Sequence, residues 1–169
     1  MPASSPQVLY TPAQRARRDA TAWTLVQGVL APVQFLIFGI SLYWVVRSLQ
    51  TGEDTDWALA SVVLKTAVLY AIMVTGAIWE KVVFGQYLFA PAFFWEDVVS
   101  MGVMALHTAY LWVWWQGLWS PADQLLLALA AYGSYAINAA QYIRKLRMAR
   151  LQKQPSSTSL PDTGAQAST

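Results

Sequence analysis

From Ala20 to Val46 the chain carries no charged residue. About 20 apolar residues are enough for a helix to cross the hydrocarbon core of a bilayer, and this run leaves room for tilt. Three further apolar stretches follow, Trp57 to Trp79, Val98 to Trp119 and Gln124 to Ile143. In lipid each backbone N–H and C=O must be paired inside its own segment or a closed barrel. Runs of this length therefore predict an all-α membrane protein with four transmembrane helices, at about 22–46, 57–79, 98–119 and 124–143. Composition agrees: only 12% of the 169 residues are charged, against about 25% in an ordinary soluble domain. Nine Trp and eight Tyr suit the two water–lipid boundaries. The first apolar run follows a polar start and is too long for a cleaved leader, so it reads as a membrane helix.

The flanks set the organisation. Residues 1–10 and 154–169, rich in Pro, Ser, Thr or Gly, read as disordered, which leaves 11–153 as one transmembrane domain. Thr11-Pro12-Ala13-Gln14 fits a helix start: Thr11 caps, Pro12 suits the first position, and Gln14 completes a capping box. Arg47 to Asp56 reads as a short loop, with Asp54, Thr55 or Asp56 available as the next cap. Ser120-Pro121-Ala122-Asp123 reads as a tight connection capped by Ser120. The bases cluster at the two ends: Arg15, Arg17 and Arg18 before the first run, Arg144, Lys145, Arg147, Arg150 and Lys153 after the last. Four crossings put both termini on one side, and the excess of bases makes that side the cytoplasm.

Polar groups inside the runs need partners. Gln27, Gln34 and Ser41 recur every seven residues and so share a stripe, for interhelical hydrogen bonds or for a pocket wall. Lys65 must face the bundle, pair with an acid, or snorkel outward. His107 is the single His; it is a hydrogen-bonded packing residue, a proton donor, or an axial ligand to a metal carried by a macrocycle. The last run is rich in small residues, among them Ala128, Ala131 and Gly133, which allow close helix approach. Asn138 and Gln141 there read as interhelical hydrogen-bonding groups.

Between the second and third runs lies WEKVVFGQYLFAPAFFWED, Trp79 to Asp97. Glu80–Lys81 and Glu96–Asp97 bracket fourteen uncharged residues, too few for a spanning helix and too apolar for a solvated loop. Gly85 and Pro91 interrupt any helix. The expectation is a short aromatic re-entrant or interfacial segment on the cytoplasmic side. Its carboxylates are either solvated or paired span-end charges, or chemical groups presented to an amphipathic substrate. Glu96 and His107 are eleven residues apart, close to three turns, so with Ser100 they share a face. A rise of about 16 Å separates them, so they cannot be one direct acid–base dyad, but they can line one pocket at two depths.

Several classes fail for lack of residues. No Cys is present, so disulfides, thiolate metal sites and Cys nucleophiles are out. One His cannot make the histidine box of a di-iron membrane oxygenase. No nucleophile motif accompanies His107, and no Gly-rich phosphate loop occurs. The basic C-terminal run adjoins a span, which favours lipid headgroups over nucleic acid.

LYTPAQRARRDATAWTLVQGVLAPVQF at 9–35, VTGAIWEKVVFGQYLFAPAFFWEDVVSM at 74–101 and ALHTAYL at 105–111 resemble the 2-vinyl bacteriochlorophyllide hydratases of bacteriochlorophyll synthesis. The likeness runs from about Leu9 to Arg150. It implies that water adds across the C3-vinyl group of a chlorophyllide-type tetrapyrrole to give a 1-hydroxyethyl group, which a downstream dehydrogenase then oxidises. It also implies a bacterial inner (intracytoplasmic) membrane protein with its site toward the cytoplasm. Hydration needs a carboxyl that stays protonated near neutral pH and a group that takes a proton from water. Glu80 and Glu96 are the candidates, with Asp97 beside them. Phe84, Tyr87, Phe89, Phe93, Phe94 and Trp95 would offer a stacking surface to the flat ring. Lys81 or a C-terminal Arg would meet the propionate. His107 is a possible axial ligand to the Mg of the substrate, and no cofactor of the protein's own is expected. The alternative is a non-catalytic pigment-binding or assembly factor using the same aromatic pocket.

Overall fold

The computed structural model describes residues 9–151; of the ends expected to be disordered, 1–8 and 154–169 lie outside them, while Leu9 and Tyr10 lie within, with Tyr10 buried. Every regular element among the described residues is a helix: α1 Pro12–Ala20, α2 Ala22–Thr51, α3 Thr55–Phe84, α4 Phe94–Trp115 and α5 Pro121–Leu151. By length and composition α2, α3 and α4 can each cross a membrane. The uncharged run 124–143 lies inside α5, where Tyr132, Ser134, Tyr135, Asn138 and Gln141 make it less apolar than the other three. The outward faces carry Leu25, Leu36, Leu64, Val74 and Trp112, all more than half exposed.

The helix boundaries follow backbone chemistry. Thr11 caps α1 with the expected box: Gln14 N–H donates to Thr11 Oγ1 at 3.2 Å and Thr11 N–H to Gln14 Oε1 at 2.8 Å. Thr21, extended, separates α1 from α2. The Arg47–Asp56 loop is shorter than its charges predict. α2 continues through Arg47 to Thr51 and ends on Gly52 at φ 74°, because a helix need not stop where the uncharged run stops. Arg47 reaches Asp54 at 3.1 Å across the short turn. α4 is shifted four residues toward the N-terminus from the predicted 98–119. Trp119 and Gly117 take left-handed backbone, which ends that helix early. Ser120 receives Asp123 N–H at 3.2 Å at the start of α5.

α2 packs along α3, α4 packs along α5, and the two hairpins close on one another. The buried side chains form three layers along the bundle. Val45, Ala58, Val62, Tyr110, Leu125, Ala128 and Tyr132 make the layer nearest the α2–α3 turn. Leu69, Val103 and Tyr135 make the middle. Tyr10, Val83 and Phe93 make the layer at the opposite end. Polar side chains lie among them and find partners across helices. Ser41 joins Ser61 at 2.7 Å and Tyr132 at 2.5 Å, and Gln27 donates to Thr75 at 2.7 Å. Gln27 and Ser41 of the heptad stripe therefore serve interhelical hydrogen bonding, while Gln34 is buried with its Oε1 unpartnered among the described residues.

At the third layer α3 ends on Gly85, whose φ of 90° lets its N–H close on Lys81 O at 3.0 Å. An L-residue pays about 1–2 kcal/mol there, and a Cβ would meet nothing within 4 Å, so the cost is purely conformational. Gly39 lies within α2 and its Cβ would also meet nothing, but in a helix Ala is favoured over Gly. Gly85→Ala should lower the thermal midpoint in detergent, whereas Gly39→Ala should leave or raise it. Equal midpoints would show that the left-handed cap does not hold this end of α3.

Candidate functional site

The turn at 85–93 brings the C-terminal end of α3 against the N-terminal end of α4. Glu80 sits just before the last turn of α3 and Asp97 sits in the first turn of α4. Glu80 directly follows the apolar run 57–79 and Asp97 directly precedes the run 98–119, at the end of the bundle. Glu80 is 5% exposed and Asp97 1%, and their carboxyls are hydrogen-bonded to one another. The turn closes over them with its backbone: Phe89 N–H donates to Asp97 Oδ2 at 2.8 Å, and Ala90 N–H to Glu80 Oε2 at 3.4 Å. Tyr142 on α5 donates its hydroxyl to Asp97 Oδ1 at 3.2 Å.

Burial pushes the Glu80 carboxyl up to about 8, and the Asp97 charge beside it acts in the same direction; the Ala90 N–H and Lys145 pull the other way more weakly. Burial also raises Asp97, but the Phe89 N–H, the Tyr142 hydroxyl and the Glu80 carboxyl all stabilise its ionised form. Helix polarity adds to this asymmetry. An N-terminus favours a negative charge and a C-terminus disfavours one. The pair therefore holds one proton at neutral pH, on Glu80, which donates it to the Asp97 carboxylate.

The other residues singled out by sequence divide between this site and its surroundings. Glu96 does not join the pair. It turns to α5, where Lys145 Nζ lies 2.6 Å from its Oε2. The inward stripe of α4 runs Asp97, Ser100, Val103, His107, Tyr110 and Val113, so the face shared with His107 is that of Asp97 and Ser100. Lys81 is exposed, hydrogen-bonded to Gly85 O at 2.8 Å, with its ammonium 5.2 Å from the Tyr87 ring.

The aromatic residues separate into two groups. Phe84 and Phe93 turn inward with Tyr10, Trp79 and Tyr142, with ring centroids 5.7 to 6.4 Å apart. Tyr87, Phe94 and Trp95 face out, at 60%, 42% and 71% exposure, with Phe89 between the groups at 39%. Phe89 has φ 59°, an unusual backbone for a bulky side chain. The outward group is the one able to meet another molecule without repacking the core.

His107 lies deeper and is wholly buried with Lys65. The Val103 carbonyl can only accept, so His107 Nδ1 donates to it at 2.8 Å. Nε2 then accepts from Lys65 Nζ at 2.9 Å, and that ammonium lies 3.8 Å from the centre of the Tyr135 ring. Lys65 thus faces the bundle rather than snorkelling. Both ring nitrogens of His107 are engaged.

Two contributors were not legible as site residues. Tyr142 shares the face of Asn138 and precedes Lys145 by one turn, a spacing that could have marked α5 as the third wall. The N-terminal α1 braces α3: Arg17 donates from Nε and Nη2 to Val83 O at 3.0 and 2.7 Å, occupying one of the last carbonyls of that helix. Tyr10 stacks on Phe84, and Arg18 lies over Tyr10 at 4.8 Å.

Comparison with known proteins gives a consistent result. A protein of Cereibacter sphaeroides named 2-vinyl bacteriochlorophyllide hydratase is 66% identical over 151 residues, covering 89% of this chain and 93% of its own. One of Rhodobacter capsulatus with the same name is 65% identical over 149 residues, covering 88% and 86%. No solved structure matches the chain. The family model described as 2-vinyl bacteriochlorophyllide hydratase (BCHF) matches residues 10–148, and with these relatives it establishes that the chain belongs to the 2-vinyl bacteriochlorophyllide hydratase family.

Proposed function

We propose that this protein adds water to the C3-vinyl group of a chlorophyllide or bacteriochlorophyllide, with Glu80 as general acid and Asp97 as general base. One observation carries the assignment of roles: two carboxyls from two helix ends are buried together, Asp97 accepting from the Phe89 N–H and the Tyr142 hydroxyl and Glu80 from a longer Ala90 N–H contact. Glu80 gives its proton to the terminal vinyl carbon. The C=C electron pair forms the new C–H bond and leaves a cation on the carbon next to the ring, where the macrocycle delocalises it. Water attacks that carbon and passes a proton to Asp97. The proton then returns to Glu80 through the hydrogen bond between the carboxyls. The net change is one water added, and both groups end as they began.

The surroundings support this reading. Tyr87, Phe94 and Trp95 present aromatic surface beside the pair, suited to a flat ring. Lys81 at the same edge is suited to a propionate carboxylate. The route uses carboxyls and water, so no cofactor of the protein enters it; Mg comes with the tetrapyrrole. His107 serves the bundle through Lys65 and Val103, since ligation of that Mg would require Lys65 to leave Nε2. In this reading the run at 124–143 forms the fourth crossing and the turn at 85–93 lies at the membrane surface. Arg17 of α1 and Lys145 of α5 both reach the site's end, and bases there support a cytoplasmic side of the bacterial inner membrane for that end and both termini. The product alcohol is then available there to a dehydrogenase.

General acid–base groups contribute about 100- to 10,000-fold. Glu80→Gln and Asp97→Asn should each lower the rate of 3-vinyl bacteriochlorophyllide hydration by at least about 100-fold, followed as a mass gain of one water, while pigment still binds. Glu96→Gln loses a partly exposed ion pair worth about 1 kcal/mol or less and should stay within about fivefold of the wild type. Full activity in Glu80→Gln removes Glu80 from the reaction.

The working form is Glu80 protonated with Asp97 ionised. Glu80 is raised, so its proton is present below about 8 and lost above it. The rate should therefore fall as pH rises through about 8, by about tenfold per pH unit beyond it. A rate that climbs steadily through that range would assign Glu80 the opposite role.

A further inference from the structure

Hydration consumes a water that must stand on one side of the cation. A buried acceptor on α5 lies one rung from Asp97 of the carboxyl pair. Ser100 donates its hydroxyl to Glu96 O at 2.8 Å, so its oxygen can receive a hydrogen bond only through a lone pair. Asn138 Nδ2 supplies one at 2.8 Å. That fixes the Asn138 carboxamide, because the reversed amide would set oxygen against an oxygen whose proton is already committed. Asn138 Oδ1 is then left with no hydrogen-bond partner among the described residues, on a side chain only 8% exposed. Gln141 Oε1 is likewise buried and unpartnered among them.

Asn138 is close to Asp97 by the helix register, whereas Gln141 points about 100° away from its neighbour Tyr142. Asn138 and Tyr142 are four residues apart on α5, and Asp97 and Ser100 three apart on α4, so each pair shares a face. Asn138–Ser100 and Tyr142–Asp97 are successive rungs between the two helices. An unmet buried carbonyl costs about 1–3 kcal/mol, which calls for a ligand at Asn138. The Asn138 oxygen is an acceptor, so the ligand must donate, and the space between packed helices suits something small and neutral.

Resting on the hydratase reading above, we infer that Asn138 holds the reacting water beside Asp97. One hydrogen of the water goes to the Asn138 carboxamide oxygen and the other to Asp97, which leaves a lone pair of its oxygen for the cation. The water therefore arrives from one face, and the new alcohol carbon forms with one handedness.

The test uses the full-length protein in detergent with 3-vinyl bacteriochlorophyllide, measuring kcat, KM and the ratio of the two epimers at the new alcohol carbon. Asn138→Leu should lower kcat about tenfold or more, leave KM within about twofold, and move the epimer ratio toward an even mixture. Gln141→Met, one turn away and pointing off the Tyr142–Asp97 rung, should leave all three as in the wild type. Asn138→Ala repeats the test with a smaller side chain, so the comparison stands even if Asn138→Leu does not fold. An unchanged kcat in the folded Asn138 variant, a fallen kcat with the epimer ratio intact, or a wild-type product that is already an even mixture overturns the water site. A wild-type protein that leaves the vinyl group untouched overturns the hydratase reading beneath it, which is a separate result.

Discussion

Two carboxyls buried against one another are the constraint the rest of this end of the molecule answers. An isolated ionised carboxylate away from water is costly, and two together cannot both ionise. The pair survives because its groups differ. Asp97 stands at a helix N-terminus and accepts from a turn N–H and a tyrosine hydroxyl. Glu80 stands near a helix C-terminus and receives only one long backbone contact. One therefore carries the charge and the other the proton. That division is what general acid–base chemistry at neutral pH requires of two groups of the same chemical type.

The rest of the bundle serves to hold α3 and α4 in the register that makes the pair. α1 grips the end of α3 through Arg17, with Tyr10 just before the helix, and α5 grips the start of α4 through Tyr142, Lys145 and Asn138. Deeper in the bundle, Lys65 and His107 tie α3 to α4 a second time. Two ties well separated along the same helices resist sliding and rotation better than one, and a rotation of α4 by one residue would replace Asp97 with Glu96.

That single residue also marks what the sequence could and could not disclose. Helices, caps and the breaks at Gly85 and Ser120 are local chemistry, and they were legible from Thr11, Pro12, Gly85 and Pro121. The aromatic segment stood out by its length and charges, and the buried carboxyl pair lies at its two ends. The choice between Glu96 and Asp97 did not follow. Adjacent positions on a helix point about 100° apart, and which of them faces inward is set by α5, more than forty residues away. The same holds for the aromatic residues: their composition suggested one surface, but the packing of α1 and α5 turns Phe84 and Phe93 inward and leaves Tyr87, Phe94 and Trp95 outside. Lys65 and His107 each looked like a group in search of a partner, and the partner was the other, forty-two residues apart.

The burial of the pair raises a question of approach that magnitudes can address. A vinyl carbon meets Glu80 only if the turn at 85–93 or its neighbours shift, since the pair is almost sealed. Separating the Phe89 N–H from the Asp97 carboxylate costs about 1.5–3 kcal/mol, the scale of a hydrogen bond to a charged group, and the long Ala90 N–H contact to the neutral Glu80 costs about 1 kcal/mol or less. Phe89 already sits in a backbone conformation that costs about 1–3 kcal/mol, and leaving it would offset part of that. A large flat ring that buries about 300 Å² of apolar surface on Tyr87, Phe94 and Trp95 gains about 7 kcal/mol at 25 cal/mol per Å². Binding energy from the ring's face is thus comparable to what is needed to expose the acid at its edge. A small alkene lacks that face, so under the hydratase reading the aromatic surface contributes to the rate as well as to affinity.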